Sequence, residues 1–248
     1  MRRYLTTPSL TAPSLLLPLC SLTLLCIGTC AHGDGIIADK VYNPYVQPLE
    51  KEIEWRNIFA DKDPFNQDDL WLTRLGYGQA LAENWAAEAY VIGERVESGS
   101  IDVEGVELEI KQQLTQQGEY LLDWGALYEL EYEKQNDNWE ATATLLTAYQ
   151  WRQWTFTGNL AILYEWGNSS EELETRFSLQ STYRWRPAIM PALEFYAGQN
   201  SRAIGPVLLG NLSLERGRKL LWEVGYLFDT DSKGADRIGK AHIEYEFW

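Results

Sequence analysis

Residues 139–150 read Trp-Glu-Ala-Thr-Ala-Thr-Leu-Leu-Thr-Ala-Tyr-Gln, and residues 154–166 read Trp-Thr-Phe-Thr-Gly-Asn-Leu-Ala-Ile-Leu-Tyr-Glu-Trp. Both alternate with period two. Trp139, Ala141, Ala143, Leu145, Thr147 and Tyr149 interleave with Glu140, Thr142, Thr144 and Gln150. Trp154, Phe156, Gly158, Leu160, Ile162, Tyr164 and Trp166 interleave with Thr155, Thr157, Asn159 and Glu165. A third run follows, in which Leu173, Thr175, Phe177, Leu179, Tyr183 and Trp185 alternate with Glu174, Arg176, Ser178, Gln180 and Arg184. Successive side chains of a strand point to opposite faces, so each run has one greasy and one polar face.

The same pattern extends both ways from these runs. It predicts about twelve strands, near 49–59, 70–79, 84–96, 104–115, 120–132, 138–150, 153–166, 172–186, 189–198, 204–215, 219–229 and 238–248, with ten as the alternative count. The pattern is least clean in 70–79 and 204–215. Many amphipathic strands fit either a soluble barrel or sandwich, greasy side inward, or a transmembrane barrel, greasy side outward. The charges on the polar faces, such as Glu50, Glu52, Glu54 and Arg56, do not separate the two. The aromatic residues do. Trp85, Trp151, Trp154 and Trp185 gather beside one set of turns, Trp71, Trp139 and Trp166 beside the other, as two interfacial girdles require. The connections also alternate in length. Short turns near 80–84, 115–119, 150–153, 186–188 and 217–219 would be periplasmic. Longer polar loops at 60–69, 97–103, 133–137, 167–171, 199–203 and 230–237 would face outward. The expected fold is therefore all-β, a transmembrane antiparallel β-barrel.

Composition excludes other classes. The chain has 248 residues and a formal charge of -15, from 21 basic and 36 acidic side chains. An acid excess of this size argues against nucleic acid as a partner. No apolar run reaches the ~18 residues of a membrane helix, and 11 Trp, 14 Tyr and 7 Phe are too sticky for a disordered chain.

The N-terminus reads as an address. Arg2 and Arg3 precede an uncharged apolar stretch from Leu15 to Ile27, followed by small residues up to Ala31 and Gly33. This is the layout of a cleaved signal peptide, assigned to residues 1–31. Its removal leaves a charge of -17 and no cysteine, since Cys20, Cys26 and Cys30 all lie within it. Thr29 before Cys30 makes a poor lipoprotein signal. Residues 32–48 are read as a periplasmic lead-in, in which Pro44 and Pro48 argue against a helix, and 49–248 as the barrel. A partial plug of the lumen is the second reading of 40–48.

The C-terminal quarter carries a resemblance. Leu193-Glu-Phe-Tyr-Ala-Gly198, Ile204-Gly-Pro-Val-Leu208, Trp222-Glu-Val-Gly-Tyr-Leu-Phe228 and Glu244-Tyr-Glu-Phe247 resemble a group of small Gram-negative outer-membrane barrels associated with transport or with a meta-cleavage pathway of phenol degradation. The resemblance covers roughly residues 180–248. It implies about twelve strands and supplies no catalytic residue. Trp248 lies one residue past the aromatic parity of Tyr245 and Phe247, which leaves the terminal register open.

The polar parity selects candidate lumen residues: Glu107, Glu109, Lys111, Asp123, Glu129, Glu131, Glu140, Arg176, Arg184, Glu223, His242 and Glu244. A ring of fixed carboxylates attracts cations and repels anions. Three functions compete. The first is a narrow channel or passive transporter for a small solute. The second is a structural barrel filled with ion pairs. The third is a lipid-modifying enzyme using His242 beside a rim hydroxyl. The first is preferred; no catalytic, cofactor or metal site is assigned. His242 has no serine marked as its partner, and the bland alternative is a lumen histidine beside Glu244 or an adjacent-strand carboxylate. The acidic pairs Asp68/Asp69 and Asp229/Asp231, and a calcium-loop start at 229–234 lacking its final Glu, read as hairpin tips. Expected partners are outer-membrane lipid and lipopolysaccharide, and the barrel-assembly machinery through the last strand.

Overall fold

The computed structural model describes residues 38–61, 69–96, 99–168, 171–199, 201–230 and 236–248. The proposed signal peptide, its cysteines, Asp68 and most of 229–234 lie outside them. Twelve strands form: β1 Lys51–Asp61, β2 Leu70–Ala82, β3 Trp85–Val96, β4 Asp102–Gln113, β5 Asp123–Glu133, β6 Asn138–Trp151, β7 Trp154–Gly167, β8 Glu172–Tyr183, β9 Met190–Ala197, β10 Arg202–Ser213, β11 Lys219–Asp229 and β12 Arg237–Phe247. Each pairs antiparallel with its sequence neighbours, and β1 pairs with β12 from Lys51↔Phe247 to Asp61↔Arg237 to close the barrel. The expected fold class is therefore observed, with twelve strands rather than ten. Closure leaves no edge whose backbone groups would face lipid unpaired.

Three boundaries differ from the sequence reading by three residues, the first being the end of β2, which runs on to Ala82. β5 begins at Asp123 because residues 114–122 form a longer connection, in which Thr115 Oγ1 accepts from the Trp124 N–H and Asp123 Oδ1 from the Gly118 N–H. β8 ends at Tyr183, and the tight β8–β9 turn, bridged by Arg186 and Ile189, takes residues 184–189. The β10–β11 ladder skips Gly205 and Pro206. Proline has no N–H to donate there. β12 ends at Phe247, whose ring stacks on Tyr245, while the Trp248 indole donates to the Gly217 carbonyl.

The inside-out chemistry is explicit. Leu145, Leu160, Ile162, Leu193, Val224 and Ile243 are exposed on the outer face. On the inner face Glu54, Arg56, Glu88, Glu109, Glu194 and Lys240 are buried. Trp139 stacks on Trp166 at the loop end of the barrel, and Trp154 packs on Tyr183 at the end that holds the barrel's two termini. Asn57, a polar residue on the outer face, is covered by Trp71, whose indole donates to Asn57 Oδ1 and which stacks on Phe59.

In the loop half of the lumen, Ile58, Ala60, Tyr196, Ala203, Leu227 and Ile238 form an internal apolar core around Ala38, joined by Leu70, Leu72 and Val41. It fills the side formed by β1, β2 and β9–β12. Leu145 lies mid-strand on the lipid face, beside Thr144 on the lumen face. Arginine at Leu145 is expected to cost about 2–4 kcal/mol at this depth, read from reversible denaturant unfolding in lipid vesicles.

Candidate functional site

The segment 38–46 runs inside the barrel. This corrects the reading of 32–48 as a lead-in below it, for the described part of that range. The segment starts beside the internal apolar core, descends the lumen and reverses at 47–50 into β1. Glu50 N–H donates to Gln47 O at this reversal, and Leu49 takes a left-handed φ of 68°.

Lumen side chains satisfy the segment's backbone point by point. The Tyr196 hydroxyl and the Lys240 ammonium both donate to the Asp39 carbonyl at 2.7 Å. Asn159 clamps Tyr42 twice: its Oδ1 accepts the Tyr42 N–H, and its Nδ2 donates to the Tyr42 carbonyl, each at 2.8 Å. Gln113 Oε1 accepts the Val46 N–H at 2.8 Å. Pro44 lies against Gly125, where even a Cβ would stand 2.9 Å from the Pro44 ring. Glycine is thus the residue that lets the segment approach β5.

Side chains complete the seat. The Tyr42 hydroxyl donates to Glu109 Oε1 at 2.6 Å and accepts from Arg56 Nη1 at 2.8 Å, while its ring packs on Leu127 and Leu146. Arg56 also bonds Glu54, stacks over the Tyr90 ring and reaches Asp39. Arg74 pairs with Asp39, Glu107 and Glu131. Lys40 lies between Glu54 (2.5 Å) and Glu244 (3.1 Å). Tyr45 donates to Asp123 Oδ2 at 2.7 Å. Tyr42 therefore spans the lumen from β1 and β4 to β5, β6 and β7.

Two cavities of about 350 Å³ each flank this septum, and Lys40 and Tyr42 line both. The loop-end cavity carries Glu107, Glu129, Glu131 and Glu140 against Arg74 and Arg176. The terminal-end cavity carries Glu50, Glu52, Glu223, Glu244 and Glu246 against Lys111 and Lys219.

No protein-family model and no curated protein matches the chain. Solved structures do. The chain is similar to the KdgM porin in complex with disordered oligogalacturonate, at 11% identity and a TM-score of 0.52 over 79% of this chain and 98% of that one. It is similar to the NanC porin, at 13% and 0.51 over 79% and 99%. The COG4313 outer membrane channel from Pseudomonas putida F1 gives 11% and 0.54 over 84% and 98%. The fold is that of these porin-like barrels.

Most of the sequence-derived candidates lie on the inner face. Glu107, Glu109, Asp123, Glu223 and Glu244 are buried there. Lys111 lies 3.8 Å from Glu88, Arg176 3.5 Å from Glu140, Glu131 3.3 Å from Arg74, and Glu129 accepts from Thr144. Arg184 is the exception and a correction. It is exposed in the β8–β9 turn, bonding Gln150 and the Arg152 carbonyl, because the strand ends one residue before it. His242 lies in the lumen 3.4 Å from Glu54 and 3.6 Å from Glu244. It sits mid-strand in β12 rather than at a rim, and its charged neighbours among the described residues are these two carboxylates. Asp39, Tyr42, Arg74, Tyr90, Asn159, Glu194 and Lys240 were not singled out from the sequence. Parity alone places Arg74, Tyr90, Asn159, Glu194 and Lys240 inward, whereas the inserted segment has no such signal.

The segment's own groups set a pH window for its seat. Desolvation pushes the Asp39 carboxyl up, but Arg74, Arg56 and Lys240 outweigh it and hold the group below its ordinary 3.8. Burial and the hydrogen bond to Asp123 push the Tyr45 phenol up to about 12. A lowered acid stabilises the seat above its free pKa and loses that contribution as pH falls. A raised phenol stabilises it below the ordinary 10.0 and loses that contribution as pH rises towards 12. Protease protection of residues 38–46 is therefore expected to hold between about pH 4 and pH 10, and to weaken on both sides. Asn159→Ala is expected to destabilise the seat by about 1–3 kcal/mol at neutral pH, because two buried backbone groups of Tyr42 lose their partner. Denaturant dependence of the same protection measures it.

Proposed function

We propose that the protein is a narrow, cation-preferring outer-membrane channel whose lumen is closed by its own segment 38–46. The carrying observation is the septum: two acid-lined cavities on either side of Tyr42, held by side chains rather than by the ladder. A twelve-stranded barrel is wider than the eight-stranded barrels that side chains alone fill. Here an inserted peptide takes up the remaining width. Such a peptide can leave without breaking a single strand pair. The channels and porins to which the fold is similar support passive passage as the function class and argue against an enzyme.

The acid excess supports the choice of solute charge. Fixed carboxylates in a low-dielectric tube raise the local concentration of cations. The galacturonate chain bound by one similar porin is a polyanion, and this lumen would repel it. A small cationic or neutral solute suits it better. The non-conducting alternative rests on the same ion pairs and differs in one respect: its segment would never leave.

In this reading residues 1–31 are a cleaved export signal and the end holding the barrel's termini faces the periplasm. The loops would meet lipopolysaccharide, and β12 would engage the assembly machinery. The kinship with barrels of the phenol meta-cleavage group rests on residues 180–248 and belongs to this proposal as well.

Planar-bilayer recording of the refolded protein tests the channel. Under a KCl gradient, replacing residues 38–46 by Gly/Ser of equal length should raise conductance at least several-fold and give a cation-selective reversal potential. Glu129→Lys together with Glu131→Lys, in that background, should lower the selectivity. Unchanged conductance in a verified folded barrel would favour the structural alternative. Gly125→Val, which pushes on Pro44, should raise the open fraction in the otherwise intact chain.

A further inference from the structure

Beside the septum, three potential ligand atoms converge from β1 and β12. His242 Nε2 lies 3.4 Å from Glu54 Oε2 and 3.6 Å from Glu244 Oε2, and the three side chains form a cluster whose ligand atoms all fall within 4.8 Å of one another. The β1–β12 register explains the convergence. Glu54 pairs with Glu244, and His242 lies two residues from Glu244 on the same face. A tetrahedral site with bonds of 2.0–2.1 Å needs ligand atoms about 3.3 Å apart, so both histidine distances are already close to the required spacing.

Two further observations point to a cation at this place. The His242 Nε2 atom is buried and lies within ion-pair distance of two carboxylate oxygens without a well-formed hydrogen bond to either. A cation is also already there. The Lys40 ammonium, carried in on the inserted segment, bonds the same two oxygens, Glu54 Oε2 and Glu244 Oε2. Arg56 uses the other oxygen of Glu54, Oε1, and so leaves Oε2 to the cluster. His242 and Glu244 line the terminal-end cavity, which gives a hydrated ion a route in. The other two clusters among the described residues do not match this set. Glu50/Glu52/Glu244 and Glu107/Glu109/Glu129 offer no nitrogen, and Glu109 is engaged by Arg56 and Tyr42.

We propose that Glu54, His242 and Glu244 form a site for a divalent transition metal of the zinc class, and that the Lys40 ammonium is its tethered competitor. One imidazole nitrogen and two carboxylate oxygens select zinc-like ions over magnesium, which prefers all-oxygen octahedral shells. A dication needs both Oε2 atoms and therefore displaces Lys40. Lys40 lies two residues from Tyr42, so loading the site loosens the septum. Metal binding and closure are antagonists, and by linkage each weakens the other by the same factor. The gating consequence rests on the plug reading above; the metal site does not.

Calorimetric titration of the folded, detergent-solubilised protein with ZnCl₂ and with MgCl₂ tests the site. One Zn²⁺ is expected per chain, with Mg²⁺ at least tenfold weaker. His242→Ala and, separately, Glu244→Gln should weaken Zn²⁺ at least tenfold, whereas Lys40→Met should tighten it at least tenfold. Zinc affinity that is unchanged in both His242→Ala and Glu244→Gln would overturn the site. Zinc affinity that is unchanged in Lys40→Met would overturn the competition. Heat-modifiable gel mobility confirms that each variant is folded, and using two ligand variants means that the misfolding of one leaves the test intact. Bilayer recording with added zinc separates the two readings. If the calorimetric pattern holds and current rises, both stand. If the pattern holds and current stays flat, the metal site stands and its coupling to closure falls, while the Gly/Ser replacement of 38–46 decides the plug reading separately.

Discussion

Arg56 is the charge around which the interior is organised. Its side chain is 3% exposed, and a guanidinium cannot shed its proton to escape burial. It must be surrounded by acceptors, and the barrel supplies them from several directions. Glu54 comes from its own strand, Glu109 from β4, the Tyr90 hydroxyl from β3, and Asp39 and the Tyr42 hydroxyl from the inserted segment. A buried ion network of this kind is poor evidence of high stability, because desolvation consumes most of what attraction returns. It is strong evidence of geometric definition, since each partner has one place from which it can reach the guanidinium.

The barrel itself was readable because a strand writes its two faces in alternate letters. Where the alternation was strong, as in 138–150 and 153–166, the expected and observed strands agree within a residue or so. Where polar side chains bond the backbone locally, as Thr115 and Asp123 do around the β4–β5 connection, the letters continue to alternate after the strand has stopped. The same continuation made Arg184 look like a lumen residue. Parity names a face only while the chain is still a strand.

The inserted segment was not readable in this way. Its seat is assembled from Asn159 on β7, Gln113 on β4, Tyr196 on β9 and Lys240 on β12, residues far apart in sequence that only closure brings together. Nothing periodic marks a peptide held by scattered side chains. Pro44 and Pro48 said only that it was not helical. The inward glycine at 125 was a trace of it: a lumen-facing position without a side chain implies that something else fills the space.

The route of the segment also bears on how the molecule is put together. Leu49 turns the chain directly from the lumen into β1, and the residues that hold Lys40 and Asp39 come from both sides of the β1–β12 seam. Those contacts cannot exist before the seam is zipped. The seat is therefore completed when the last strand meets the first, or afterwards, and never before. β12 works as a latch: until it docks on β1, Lys40 has half of its cradle and the Asp39 carbonyl lacks the Lys240 ammonium, so a half-built barrel has no means of completing its interior early.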